Sequence, residues 1–193
     1  MRNNDLAIIV IDMQEGFLKR ISYEELTRIL PGQLALLEHC KSKKIPTIFL
    51  EYTGEGPTYQ VLKDRAKGIP DFEIMTKSDD NGFCQPKLKS KLKRLNVQHI
   101  CLAGINAEAC VKKTAERALS EGLKIISSKD IIGSYNYGVV QSTNKWFAKY
   151  GTHYETHQRM LNEWDYQRTH PPEVSYPLPI CTRFNHNLAS FLD

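Results

Sequence analysis

Apolar and polar positions along the chain follow two patterns, solid apolar runs and stripes at helical spacing. The run from Leu6 to Ile11 is continuous and rich in β-branched residues, which is typical of a strand buried on both faces. Further strands are predicted over 47–52, 72–76, 99–103 and 123–127, with a weaker one over 152–156. Helices are predicted over 23–43, from Pro86 onward, and over 107–120, 138–149 and 157–164. A loop rich in glycine and proline is expected between them from 53 to 70.

This alternation of strands and helices predicts an α/β fold. Because the strands are apolar runs without a polar face, helices must cover both faces of a parallel sheet. We therefore expect a three-layer α/β/α sandwich with a mainly parallel, Rossmann-like sheet. In such sheets ligands bind beyond the carboxyl ends of the strands, so functional residues are expected there.

The chain is predicted to form one domain over residues 1–165, followed by an extended arm over 166–193. Four prolines make the arm extended, because proline fixes φ and cannot donate to a ladder; they are Pro171, Pro172, Pro177 and Pro179. We expect this arm to pack on the domain or on a neighbouring subunit.

Composition and charge exclude several classes of function. Hydrophobic residues make up 41% of the chain and charged residues 25%, with a net charge of +4, as in ordinary globular proteins. The densest basic stretch, 87–95, carries leucines at helical spacing, so its lysines are expected on the solvent-exposed face of an amphipathic helix. No aromatic residues are interleaved with these lysines, which disfavours a nucleic-acid partner. No apolar run is long enough for a membrane span or a signal peptide.

The cysteines and histidines point away from disulfides and metals. Five cysteines occur with irregular spacing and no CxxC pair, which favours a reducing, cytoplasmic compartment; they are Cys40, Cys84, Cys101, Cys110 and Cys181. His153 and His157 are four apart, as in metal-binding helices, but Glu155 would lie on the opposite helix face from the position that activates water. We predict no metal and no cofactor.

Three polar residues are placed where strands end at their carboxyl edge. Asp12 closes the first strand, Lys77 follows the third and Cys110 follows the fourth, so all three are expected on one rim. A cysteine near a helix N-terminus is favoured as a thiolate, Lys77 would lower its pKa further, and Asp12 could accept its proton. Taken singly, each has a plainer interpretation, namely a buried apolar cysteine, a turn-capping aspartate and a solvated lysine.

Together, the segments around these residues resemble the isochorismatase-like superfamily of cysteine hydrolases. The resemblance rests on Asp12-Met-Gln-Glu-Gly-Phe17, on Lys77 with Ser78 and Phe83, and on Gly104-Ile-Asn-Ala-Glu-Ala-Cys-Val111. It continues through the helix after Cys110 to a strand ending in Asp130, and covers residues 5–160 approximately.

The resemblance implies a catalytic triad of Asp12, Lys77 and Cys110. It also implies a cis peptide bond between Ile105 and Asn106, which would turn the Asn106 N–H toward an oxyanion, beside that of Cys110. The expected activity is cleavage of an amide or carbamoyl C–N bond of a small molecule through a Cys110 thioester. Candidate substrate contacts near this rim are Gln14, Phe17, Tyr52, Asn106, Ala107 and Tyr135. Relatives of this kind form dimers or tetramers, so a homo-oligomer is expected.

Two departures from the family pattern limit this expectation. Metal-dependent nicotinamidases carry histidines after the second strand, whereas residues 52–76 contain none, which again predicts no metal. Many members have His-Thr where this chain has Asn106-Ala107, so the turn on the substrate side is unusual. Two alternatives stay open, an isochorismatase-type vinyl-ether hydrolase and a non-catalytic binding or thiol-redox protein on the same fold.

Overall fold

A six-stranded parallel sheet organises residues 5–170, the part of the chain that the computed structural model describes. Its strands are β1 (Leu6–Ile11), β2 (Thr47–Tyr52), β3 (Glu73–Lys77), β4 (His99–Gly104), β5 (Lys124–Ser128) and β6 (Thr152–Tyr154). Their order across the sheet is β3-β2-β1-β4-β5-β6, and every neighbouring pair is parallel. The expected parallel α/β sheet is confirmed, and β1 lies at its centre.

Helices cover both faces of this sheet and complete the three-layer sandwich. They are α1 (Glu15–Leu18), α2 (Tyr23–Lys43), α3 (Gln60–Ala66), α4 (Pro86–Arg94), α5 (Lys112–Ser120), α6 (Tyr137–Tyr150) and α7 (His157–Thr169). Helix α2 packs against α3 and α7, while α5 and α6 pack against β5. A 3₁₀ turn over Gly82–Cys84 precedes α4, and a π-helical turn over Ala107–Val111 leads into α5.

The structure departs from the predicted elements in several places, among them the short helix α1, where no helix was predicted, and the π-helical turn that begins the predicted helix over 107–120. The expected loop over 53–70 contains α3, which forms because Leu62 and Ala66 bury an apolar face against α2. Helix α7 extends to Thr169, so the first residues of the predicted arm continue this helix, which Met160 and Trp164 anchor in the core. From residue 171 the arm lies outside the described residues, as does Cys181.

The core runs along the central strands and places their carboxyl ends at one edge. Every residue of β1 is buried, as its unbroken apolar run predicts. Because β2 and β4 flank β1, the residues that follow these strands meet in the middle of the edge. Among the described residues, no helix combines the length and the apolar character that crossing a membrane requires.

Candidate active site

The end of β1 has a backbone geometry that holds Asp12 at the centre of the edge. Asp12 has a φ of 54°, in the left-handed region that residues other than glycine seldom adopt, and its N–H donates to the Leu50 carbonyl at 2.9 Å. On the neighbouring strand, Gly104 has a φ of 120°, and a Cβ there would lie 2.0 Å from the carbonyl oxygen of Ile11. Only glycine therefore permits this close approach of β4 to β1 beside Asp12.

Lys77, at the end of β3, forms a buried ion pair with Asp12. Its Nζ lies 2.9 Å from Asp12 Oδ2, and neither side chain is exposed. The ammonium also donates to the Asp79 carbonyl at 3.0 Å and lies 4.3 Å from the centre of the Tyr52 ring. Buried charges are costly unless they are paired and hydrogen-bonded, and this ammonium has a carboxylate, a carbonyl and an aromatic face.

The Cys110 thiol lies in the π-helical turn, against two carboxylates. Its Sγ is 3.5 Å from Asp80 Oδ1, and it is close enough to Asp12 for each group to shift the pKa of the other. Only 3% of Cys110 is exposed. Sequence, sheet topology and side-chain geometry thus bring Asp12, Lys77 and Cys110 together.

The pKa of Cys110 is raised, contrary to the expectation of a thiolate. Burial raises it most, the negative charge of Asp12 adds to this, and Lys77 opposes both. Burial also raises the pKa of Asp12, while Lys77 and Cys110 lower it. The prediction of a low cysteine pKa is wrong. Lys77 forms its ion pair with Asp12, so its effect on the pKa of Cys110 is smaller than the effect of burial. The resting site therefore holds a thiol beside a carboxylate.

The turn before Cys110 contains the expected cis peptide bond, Ile105–Asn106. Asn106 is largely buried, and its Oδ1 has no hydrogen-bond partner among residues 5–170. Ala107 is fully buried, and its N–H donates to the Gly133 carbonyl at 2.8 Å. Asn106 therefore carries a buried side-chain oxygen without a hydrogen-bond partner in the described residues, whereas the backbone N–H of Ala107 is already paired.

Gln14 serves as a clamp between two backbone segments, a role that the sequence did not suggest. Its Nε2 donates to the carbonyls of Tyr52 at 3.0 Å and Gly56 at 2.5 Å, and its Oε1 accepts from the Tyr52 N–H at 2.5 Å. The side-chain amide is thus occupied by the backbone, so Gln14 holds Tyr52 in place and has no polar group left for a substrate.

The three predicted aromatic contacts occupy different places. Phe17 packs edge-to-face on Tyr52, with ring centres 6.1 Å apart, so both belong to the group around Lys77. Tyr135 is 44% exposed and lines a cleft of about 330 Å³ between the start of α2 and the segment after β5. That segment is linked to the π-helical turn that contains Cys110 through the Ser134 hydroxyl, which donates to Glu108 at 2.9 Å.

Asp80 is a site residue that sequence reasoning missed. Its Oδ1 accepts from the Cys110 thiol, while its Oδ2 lies 2.6 Å from the Lys113 ammonium, which lowers the pKa of the Asp80 carboxyl. The only sequence signal was its position three residues after Lys77, and a carboxylate in a polar loop is not informative alone.

The two histidines considered as metal ligands are used in packing and capping. The His153 ring stacks on Phe147, and burial lowers its pKa to about 4. His157 begins α7 and pairs with Asp130 at 2.6 Å. Within the described range 5–170, no three histidine, cysteine, aspartate or glutamate side chains are grouped as metal ligands.

The chain has a parallel α/β sheet, and a cysteine, a carboxylate and an ammonium group lie together at the carboxyl ends of its strands. This arrangement places it among the α/β proteins that carry a potential cysteine nucleophile at that edge of the sheet. Within this class, a family model described as the isochorismatase domain matches residues 6–158. The chain belongs to the isochorismatase domain family, which confirms the resemblance seen in its motifs.

Individual relatives are similar at moderate identity. The chain is 30% identical over 136 residues to isochorismatase domain-containing protein 2 of Danio rerio, covering 66% of this chain and 62% of that protein. It is 25% identical over 134 residues to the probable hydrolase YcaC of Escherichia coli, covering 69% and 64%. The chain thus spans less than two thirds of the length of either protein.

Among solved structures, the chain is similar to the MAR1 ribonuclease of Caenorhabditis elegans. The TM-score is 0.73 at 27% identity, and the match covers 83% of this chain and 81% of the ribonuclease. The shared fold therefore extends over about four fifths of both chains.

Proposed function

We propose that this chain hydrolyses a C–N bond of a small amide or carbamoyl compound through a thioester on Cys110. The observation that carries the proposal is the fully buried Asp12–Lys77 ion pair, 2.9 Å long, beside the Cys110 thiol. A carboxylate and a thiol held together in a buried site form a proton-transfer pair, and a neighbouring ammonium stabilises negative charge on either group. The name of the E. coli relative, a probable hydrolase, agrees with this proposal.

Acylation begins from the thiol because the pKa of Cys110 is raised. As the sulfur attacks the carbonyl carbon, its proton passes to Asp12, the S–C bond forms and the oxyanion develops. Asp12 then delivers this proton to the nitrogen, the C–N bond breaks and the amine leaves. The N–H groups of Asn106 and Cys110 are proposed to hold the oxyanion.

Deacylation uses the same carboxylate in reverse. Asp12 accepts a proton from a water molecule while the oxygen of that water attacks the thioester carbon. The C–O bond forms, the S–C bond breaks, and the proton returns to the sulfur as the acid departs. Lys77 stays charged throughout and compensates the negative charge that moves between Asp12 and the sulfur.

A panel of primary amides, carbamoyl compounds and nicotinamide tests this function. We expect at least one to be hydrolysed by the native chain, with release of ammonia or an amine, and not by Cys110→Ala. Asp12→Asn should lose about 10²–10⁴-fold in kcat/KM, the usual worth of a positioned acid–base group. Cys84→Ala, which removes an exposed thiol, is the matched control and should retain activity. Full hydrolysis by Cys110→Ala would overturn the proposal.

A second candidate function is cleavage of RNA. It is favoured by the 27% identity to the MAR1 ribonuclease and by five basic residues on α4, namely Lys87, Lys89, Lys91, Lys93 and Arg94. Two of these five are engaged in ion pairs, Lys91 with Glu73 at 2.7 Å and Lys89 with Glu121 at 2.6 Å. The absence of a nucleic-acid partner thus stays a prediction. Cleavage of single-stranded RNA that Cys110→Ala and Asp12→Asn both lose, without any amide hydrolysis, would favour this candidate.

The two alternatives left open by the sequence are less well supported. A thiol-redox role requires a readily ionised cysteine, whereas burial and Asp12 raise the pKa of Cys110. A vinyl-ether hydrolase acting on a dicarboxylate needs cations for its substrate, and the side chain facing the sulfur from the rim is the carboxylate of Asp80.

A further inference from the structure

A second carboxylate, that of Asp80, contacts the sulfur in addition to the buried ion pair. Asp80 Oδ1 lies 3.5 Å from Cys110 Sγ, and the Asp80 side chain is 32% exposed, so this carboxylate near the sulfur is in contact with solvent. Asp12, by contrast, is fully buried and paired with Lys77. The sulfur therefore has two carboxylates nearby, one fully buried and one partly exposed.

Asp80 is fixed in this position by contacts on both its side chain and its backbone. The Lys113 ammonium binds Oδ2 at 2.6 Å, which leaves Oδ1 directed at the sulfur. The Thr114 hydroxyl contacts the Asp80 carbonyl at 3.4 Å and accepts from the Gly82 N–H at 2.9 Å, so α5 holds the loop from both sides of Asn81. Its neighbour Asp79 is exposed, and its carboxylate binds the Asn81 N–H instead.

We infer that Asp80 is a specificity-determining residue that admits substrates with an N–H donor or a positive charge beside the scissile carbonyl and disfavours those with a carboxylate there. The inference rests on the proposed function, since it assigns a substrate class to the same site. An acyl carbon bonded to Sγ lies within reach of Oδ1, which only accepts hydrogen bonds. An anionic group at that place meets the like charge of the Asp80 carboxylate at short range.

Alkylation of Cys110 measures this selectivity without any turnover. Iodoacetamide and iodoacetate have nearly the same shape but differ by one negative charge, and both react by S–C bond formation with loss of iodide. Peptide mapping by mass spectrometry gives the rate for each cysteine. The ratio of the two rates at Cys110 is independent of the thiol pKa, because both reagents react with the same thiolate.

The expected result is a higher iodoacetamide-to-iodoacetate ratio at Cys110 than at the exposed Cys84 or at N-acetylcysteine. Asp80→Asn should lower the Cys110 ratio about tenfold, a moderate charge effect given the partial neutralisation by Lys113. Asp79→Asn removes an equal charge one residue away and should keep the native ratio. Cys40 and Cys101 are fully buried, so their resistance to both reagents reports that each variant is folded.

A Cys110 ratio unchanged by Asp80→Asn, or lowered equally by Asp79→Asn, would overturn the assignment of Asp80. With an active amide identified, the same order should appear in kcat/KM, where Asp80→Asn raises the value for an anionic analogue and lowers it for a cationic one. A chain that hydrolyses no amide but shows the Asp80-dependent ratio would refute the proposed function and leave the charge selectivity of the site established.

Discussion

Lys77 Nζ lies 2.9 Å from Asp12 Oδ2, and neither side chain has any exposed surface. The two residues come from β3 and from the end of β1, which are separated in the sheet by β2. Their pairing therefore spans three strands at the carboxyl edge. An ion pair without solvent contact is a weak source of stability, but loss of one partner leaves an uncompensated charge in the interior.

We predict that Lys77→Met lowers the free energy of unfolding by about 3–5 kcal/mol, because Asp12 would be left as an unpaired buried charge. Asp12→Asn with Lys77→Met should cost less than Lys77→Met alone, since both charges are then removed. Urea denaturation of the single and double variants measures these differences. Lys67→Met, which breaks an exposed pair with Asp64, is the control and should change stability little. Equal losses for Lys77→Met and Lys67→Met would contradict a buried, paired site.

The raised pKa of Cys110 predicts slow alkylation near neutral pH. Because its pKa lies above the ordinary value, its thiolate fraction at pH 7 is smaller than that of a free cysteine, and its rate should still be rising at pH 9. Asp12→Asn removes a negative charge that raises this pKa, so its rate profile should shift toward lower pH. Iodoacetamide rates at Cys110 between pH 6 and pH 10 measure both effects. A rate that levels off below pH 8 in the native chain would contradict the assignment of a resting thiol.

Much of the fold follows from local sequence patterns, as particular elements illustrate. The run Leu6–Ile11 has no polar position, so it fits only a strand covered on both faces, and that strand is the central one. Helix α3 was missed because Leu62 and Ala66 make too short an apolar stripe amid glycine and proline, and its burial depends on α2. Its formation is thus decided by tertiary contact.

The site was predictable to the extent that it depends on sheet topology. Asp12, Lys77 and Cys110 each follow a parallel strand, and this alone predicts their meeting. The direction of the Cys110 pKa shift was not predictable, because it depends on the burial of the sulfur and on whether Lys77 interacts more strongly with Asp12 or with Cys110. The roles of Gln14 and Asp80 depend on side-chain geometry in loops, which has no periodic signal in sequence.

The Gln14 clamp predicts a large effect from a small substitution. Gln14→Met preserves the size of the side chain but leaves the Tyr52 N–H and two carbonyls without their partner. We expect a loss of about 1–3 kcal/mol in the free energy of unfolding, because Tyr52 is partly buried whereas the exposed Gly56 carbonyl can bind water instead. Gln60→Met, whose amide binds Asp64 at the surface, is the matched control and should change stability little. Similar denaturation midpoints for both variants would refute the clamp.

His153 predicts an acid-dependent loss of stability. Its folded pKa is lowered to about 4, while an unfolded histidine has its ordinary pKa near 6.5. Above pH 6.5 both states are neutral and stability is complete; as pH falls toward 4 the unfolded state gains a proton that the folded state does not. The loss over this window should approach about 3 kcal/mol. His153→Phe keeps the stacking on Phe147, so its stability should depend less on pH than that of the native chain. Urea denaturation of both proteins at pH 7.5 and at pH 4.5 measures this. An identical loss of unfolding free energy in the two proteins would contradict this role of His153.

The central claim is a covalent acyl intermediate on Cys110, and rapid acid quenching followed by peptide mapping tests it most directly. During turnover of an amide identified in the panel, the peptide containing Cys110 should gain the mass of the acyl group within the first turnover and lose it when substrate is exhausted. Hydrolysis of the same amide with no acyl mass on Cys110 at any time, or undiminished hydrolysis by Cys110→Ala, would contradict the account.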